Sequence, residues 1–201
     1  MNISNLGSYP LICFDFDGVI KDSVNVKGDI FVELFHHYPL SFKDKILSHH
    51  LANGGVNRTI KLTQYLQWAF PDTPINMLPI NLYLKKFSAL AVDRVIRSNW
   101  IPGMPDILYI LSHNSKLFIA SATPHEEINL IVRLLGIDVL FKSVWGFPYL
   151  KSFVLNHIKK QYGASSFSLI MVGDSTQDQI AAEISDVSFF LKTPQNNFPV
   201  Q

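Results

Sequence analysis

Apolar and polar positions alternate along the chain with two different rhythms. Residues 9–16, YPLICFDF, are apolar without interruption until two acids enter, and Gly18 follows. That reads as a short strand buried on both faces. From residue 24 to 100 the spacing becomes helical. VNVKGDIFVELFHHY, SFKDKILSHHLA, NRTIKLTQYLQWAF and LPINLYLKKFSALAVDRVIRSNW each carry apolar residues at one-turn intervals, with Pro, Gly and Asn between them. No strand is expected there.

After Ile101-Pro102-Gly103 strands and helices alternate. A helix over 105–112 leads to the strand LFIASA. Thr123 then stands as an N-cap with Pro124 opening a helix that Gly136 ends. An apolar piece at Val144-Trp145 and a helix over 152–162 follow. SLIMV, TQDQIAAEIS and VSFFL complete the pattern as strand, helix and strand. Such alternation implies right-handed crossovers and a parallel sheet covered on both faces. The expected fold is α/β: a Rossmann-like parallel sheet core, residues 1–22 and 101–201, with an all-helical cap over 23–100 inserted after the first strand.

Composition narrows this picture. The 201 residues are 48% hydrophobic and 16% charged, and mean hydropathy is +0.18, enough for a well-buried core. Net charge is +1 and the pI about 7.9, so no basic field points to nucleic acid or an anionic membrane. The single Cys13 cannot form an intramolecular disulfide and reads as a buried thiol. The start, MNISNLGSYP, lacks a basic region and a long apolar run. No apolar run reaches the roughly 18 residues that span a bilayer. The expectation is a soluble, cytoplasmic protein, and the sequence is silent on oligomeric state.

In open parallel sheets ligands bind beyond the carboxyl ends of the strands. The first strand ends in Asp15 and Asp17, whose spacing of two puts both on one side. LFIA ends in Ser121, and SLIMV ends in Gly173-Asp174-Ser175 with Asp178 one helical turn on. Lys151 opens a helix after GFPYL, with Lys142 as the fallback. The carboxylates make a hard oxygen site suited to Mg²⁺, and the lysine and serine are donors for a phosphoryl group. A calcium loop is excluded: the glycine is misplaced and Val26 stands where a closing Glu is required.

FDFDGVIKDS, IASAT, the lone Lys151 and MVGDSTQD resemble the four motifs of the haloacid dehalogenase-like superfamily. The helical insert is similar to its first type of cap domain, found in small phosphatases and β-phosphoglucomutase-like enzymes. That resemblance implies Asp15 as a nucleophile forming an aspartyl-phosphate and Asp17 as the proton-transferring acid and base, its carbonyl facing the metal. It implies Ser121 and Lys151 as phosphate ligands, and Asp174 as a Mg²⁺ ligand with Asp178 in or behind the shell. Asp17 favours phosphoryl transfer, since halide-removing members dispense with it. Val19 departs from the usual threonine, Lys151 lacks flanking prolines, and AAEISD replaces AAxxAG.

LANGGVNRTIKL resembles cap loops of the β-phosphoglucomutase-like branch, making Arg58 the candidate for gripping substrate, with Asn53, Asn57 and Lys61 behind it. The pairs His36-His37 and His49-His50 read as exposed, and Trp68, Phe70 and Trp100 as cap core. The expected function is Mg²⁺-dependent hydrolysis of a small phosphorylated metabolite. A phosphomutase is the alternative, and a non-catalytic phospho-acceptor or binding protein is the third reading.

Overall fold

A computed structural model describes residues 3–194; residues 1–2 and 195–201, the outer ends of the expected core domain, lie outside the described residues. Five strands form one parallel sheet: β1 (Leu11–Phe14), β2 (Lys116–Pro124), β3 (Phe141–Phe147), β4 (Leu169–Gly173) and β5 (Ser188–Leu191). Their spatial order is β3-β2-β1-β4-β5, so the chain builds outward from β1 on one side, then crosses to the other. The reversal falls beside β1, the place where open α/β sheets leave a crevice.

Side-chain alternation along the strands feeds two cores. Ile12, Phe14, Leu117, Ile119, Ile170 and Val172 face Leu108 and Leu111 of α5 (Met104–Asn114) and Ile128, Ile131 and Val132 of α6 (His125–Leu134). Leu11, Cys13, Phe118, Leu169 and Met171 face the other way, against α7 (Lys151–Tyr162) and α8 (Thr176–Ile184). Burying an apolar side chain on both faces contributes about 1.5–3 kcal/mol per residue, which explains the unbroken apolar strands. Cys13 is buried as expected, and burial pushes its thiol up, away from the reactive thiolate.

The insert contains α1 (Val24–Leu34), α2 (Leu40–Ala52), α3 (Arg58–Ala69) and α4 (Ile80–Arg97). They close over their own aromatic-rich core of Phe31, Phe35, Tyr65, Leu66 and Phe87. The last turns of α4 leave that core, and Val95 packs with the sheet helices instead. Two chain crossings join the layers side by side. Asp22 N–H donates to Asn99 O, and Ile101 N–H donates to Ile20 O. No helix among the described residues is long and apolar enough to cross a membrane.

Several local expectations change. Thr123 caps no helix: β2 runs on through it to Pro124, and α6 starts at His125. Trp100 belongs to the sheet-side core, with the Lys21 ammonium 4.4 Å from its ring centroid, and Phe70 is exposed. Trp68 alone of the three packs with the cap core. His50 is buried, unlike His36 and His37. The AAEISD turn keeps a left-handed residue, with Asp186 at φ 48°; aspartate tolerates this conformation better than most residues with a side chain.

Candidate active site

Register brings the acids together. Phe14 pairs with Ile119 on one side and with Val172 on the other. The segments just beyond, 15–17, 121–123 and 173–178, therefore emerge side by side at one sheet edge. Gly18, at φ +78°, lets the β1 loop turn against the β4 loop. A Cβ there would stand 2.0 Å from Asp174 Oδ2, so only glycine fits.

At the floor lies Asp15. Its Oδ1 accepts from Phe16 N–H at 2.7 Å and lies 3.0 Å from Lys151 Nζ. Among the described residues its Oδ2 accepts no hydrogen bond. Lys151 reaches this point from the first turn of α7 and also donates to Asp178 Oδ1. Lys142, by contrast, is exposed on the edge strand β3. Asp178 is fully buried; its Oδ2 accepts from Ser175 N–H at 3.1 Å and from Ser175 Oγ at 2.6 Å, forming the capping box of α8. Both oxygens of Asp178 are thus engaged, and its role in this geometry is to hold Lys151 and the β4 loop.

Electrostatics follow from this crowding. Burial raises the Asp15 carboxyl well above its ordinary range; Lys151 opposes the shift, while Asp178, Asp174 and Asp17 add to it. Burial and then Asp178 push Asp174 up to about 6. Lys151 is raised as well: burial would lower it, but Asp15 and Asp178 outweigh burial and favour the ammonium. Oxygen atoms of Asp15, Asp174 and Asp178 lie within 4.8 Å of one another.

Asp17 sits in a different environment. Ser23 Oγ donates to its Oδ1 at 2.5 Å, and Lys27 Nζ donates to its Oδ2 at 2.5 Å. Thr123 Oγ1 accepts from Lys27 at 2.7 Å and stands 3.3 Å from the same carboxylate. Burial alone would raise Asp17, but the Lys27 charge and these hydrogen bonds hold it below its ordinary value. Ser121 is buried, with its Oγ accepting from Thr123 N–H at 3.1 Å. At this point Ala122 and Thr123 form the cavity wall.

The cap roofs these groups over a cavity of about 440 Å³. Its loop meets the β4 loop directly: a Cβ on Gly54 would lie 3.0 Å from Ser175 Cβ, and one on Gly55 would lie 2.8 Å from Gln177 Cβ. Lys27, His50, Arg58 and Lys61 line the cap side, opposite Asp15, Asp17 and Asp174. Arg58 does reach the cavity, but Glu127 of α6 takes its guanidinium bidentately, at 2.5 and 2.9 Å, and Ser88 takes a further bond at 2.8 Å. Asn57 caps α3 through Ile60 N–H, and Asn53 donates to His49 O while lining the cavity.

The Arg58–Glu127 pair joins cap to sheet with both partners buried. Removing one partner strands the other charge, so Arg58→Ala and Glu127→Ala should each lower the Tm. In the double-mutant cycle we expect a coupling of about 2 kcal/mol, read by thermal or urea unfolding; additive effects would mean that the pair does not clamp the layers.

Four groups escaped the sequence reading: Lys27, Thr123, His50 and Glu127. For three of them a signal existed. Lys27 shares the stripe of Ile30 and Phe31 on α1, His50 shares that of Ile46 on α2, and Glu127 shares that of Ile131 on α6. A polar residue at i or i+4 of a buried stripe must find a partner or a ligand. Thr123 carried no such local mark.

Solved structures with this architecture span most of the chain. A predicted phosphoglycolate phosphatase from Haemophilus somnus 129PT superposes with a TM-score of 0.74 at 18% identity, covering 90% of this chain and 84% of its own. A haloacid dehalogenase-like hydrolase from Bacteroides fragilis gives 0.68 at 20% identity, covering 94% and 91%. A HAD-superfamily hydrolase of subfamily IA, variant 1, from Geobacter sulfurreducens gives 0.65 at 20%, covering 92% and 88%. At these identities the likeness is one of fold, a Rossmann-like sheet with flanking helices. The family model described as haloacid dehalogenase-like hydrolase matches residues 12–192, and the chain belongs to that family. Among curated proteins none matches the chain.

Proposed function

We propose that the protein is a Mg²⁺-dependent phosphatase that hydrolyses a small phosphorylated metabolite through an aspartyl-phosphate on Asp15. One observation carries this reading: Asp15, held by Lys151 at the floor of a cap-roofed cavity, keeps Oδ2 without a hydrogen bond among the described residues. Asp15 Oδ2 attacks phosphorus, and the bond from phosphorus to the ester oxygen breaks. Lys151 offsets the charge gathering on the phosphoryl oxygens, with the Ser121 hydroxyl as a further donor. Asp17, held below its ordinary value beside Lys27 and so ionised in the resting site, takes up the proton that a monoanionic phosphoryl group brings and gives it to the leaving alkoxide. It then takes a proton from the water that attacks the aspartyl-phosphate. That proton leaves with inorganic phosphate, and the Asp15 and Asp17 carboxylates are restored.

The donor set fits a divalent cation. Burial first, and then neighbouring carboxylates, raise Asp15 and Asp174, a cost that a cation would relieve, and every donor is a hard oxygen. Asp15, Asp174 and the Asp17 carbonyl would hold it, with Asp178 behind them orienting Lys151. When bound it neutralises phosphoryl charge as a Lewis acid. Adding Mg²⁺ to chelator-treated protein should raise the Tm, by the equivalent of about 2.7 kcal/mol at a hundredfold excess over Kd. An unchanged Tm at millimolar Mg²⁺ counts against the site.

The phosphomutase alternative needs a grip on a second phosphoryl group. Arg58, the cap residue expected to grip substrate, is held by Glu127. The deciding experiment is a phosphate-release screen over small phosphomonoesters with and without Mg²⁺. Metal-dependent release supports the phosphatase; isomerisation of a sugar phosphate without release supports the mutase. Neither activity across a broad panel supports the non-catalytic reading.

A further inference from the structure

Four groups with the capacity for positive charge line the cap side of the cavity, and three of them are already compensated or neutral. Glu127 neutralises Arg58, and Asp17 neutralises Lys27. His50 Nε2 lies 3.0 Å from Val24 O, which can only accept, so this nitrogen carries the proton. His50 Nδ1 is then an acceptor, taking a hydrogen bond from Lys61 Nζ at 3.1 Å. Burial first, and then the Lys61 charge, lower His50 to about 4, in keeping with a neutral ring.

Lys61 is the exception. It is 3% exposed and sits on the apolar stripe of α3 with Leu62 and Tyr65. Its ammonium donates to His50 Nδ1 and, at 3.3 Å, to His50 O, and it has no carboxylate partner among the described residues. Burial, and then the Lys27 charge, lower Lys61 to about 8, and Asp17, the one anion that acts on it, offsets this only in part and makes no hydrogen bond to it; a buried ammonium so placed is costly unless something anionic reaches it. Lys61 lines the same cavity as Asp15.

We propose that Lys61, positioned by His50, is a specificity subsite for a second anionic group on the substrate. A single uncompensated ammonium matches a monoanion, so the class indicated is a phosphomonoester whose body carries a carboxylate. A second phosphoryl dianion would need the Arg58 fork as well, and Glu127 occupies it. The inference rests on the phosphatase reading for the place of the ester and deepens it by naming what the cap selects.

The test compares phosphoglycerate with glycerol phosphate, each esterified at a terminal carbon, so that the two differ by a carboxylate in place of a hydroxymethyl group. Titration calorimetry with Mg²⁺ on Asp15→Asn protein reads affinity without turnover. Phosphoglycerate should bind about 10- to 100-fold more tightly, the range expected for a hydrogen bond to a charged group. Adding Lys61→Met should bring the ratio close to one. Lys61→Gln, which keeps a polar terminus without the charge, should do the same, and a Tm no lower than that of the parent shows that either fold is intact. Equal affinities in the parent, a ratio that survives in both Lys61 variants, or tighter binding of fructose bisphosphate than of phosphoglycerate would overturn the proposal. Release of p-nitrophenol from p-nitrophenyl phosphate by the wild-type protein reads the phosphatase chemistry separately, so failure there is distinguishable from failure of the subsite.

Discussion

Replacing Asp15 with Asn is expected to reduce phosphate release by about 10⁴-fold or more, the scale seen when a covalent nucleophile is removed. The amide has the shape of the carboxylate but no charge with which to attack phosphorus. Stability should move the opposite way. Burial, with the neighbouring acids, raises the folded-state Asp15 carboxyl above its unfolded value. The folded state therefore binds more protons than the unfolded one in that window, and the charged carboxylate costs stability as pH rises through it. Asn removes that cost, so in chelator at neutral pH the variant should melt no lower than wild type. A variant that loses activity and also unfolds would indicate a structural role for Asp15.

Lys151→Met should be damaging on both counts. It removes the cation that lies 3.0 Å from Asp15 and also binds Asp178, leaving two buried carboxylates without a counter-charge. Breaking a buried pair in this way costs about 3–5 kcal/mol, and kcat should fall by about 10³-fold, comparable to losing a main electrostatic donor. Because the folded-state pKa of Lys151 is raised, the stability it contributes is fully present below the unfolded lysine value. The deficit in the variant should therefore be large at neutral pH. It should shrink as pH falls, where Asp15, whose carboxyl burial already raises, can accept a proton in place of the ammonium. Urea unfolding at several pH values reads this directly; a deficit independent of pH would show that packing, not charge, is what Lys151 supplies.

Most of the sheet was legible because β1, β2, β4 and β5 each carry an apolar run closed by a polar residue; β3, FKSVWGF, is interrupted by Lys142 and Ser143 and showed only as an apolar piece at Val144-Trp145. The same signal led to Asp15, Ser121 and Asp174, since an acid or hydroxyl at the end of a buried strand is conspicuous. Lys151 was harder to separate from Lys142, and what separates them is the reach of Lys151 from α7 to Asp15. The role of Arg58 could not be read locally, because its partner Glu127 lies 69 residues away on a helix that packs against the sheet. Thr123 looked like a helix cap because Thr-Pro commonly opens helices; β2 extends far enough to carry its hydroxyl to Lys27 instead. The cap cations share one cause. Lys27, Arg58 and Lys61 all lie among the buried positions of their helices, where the periodicity leads one to expect apolar residues. Only the fold shows that those stripes border a cavity as well as a core.

The chemistry assigned to Asp15 can be tested most directly by trapping. Protein mixed with Mg²⁺ and a hydrolysable phosphomonoester, quenched in acid and digested, should yield a phosphoryl adduct on the peptide that carries Asp15. Mass spectrometry should find that adduct removed by hydroxylamine and missing from Asp15→Asn protein. Steady phosphate release with no adduct on that peptide, or an adduct on another residue, would contradict the account.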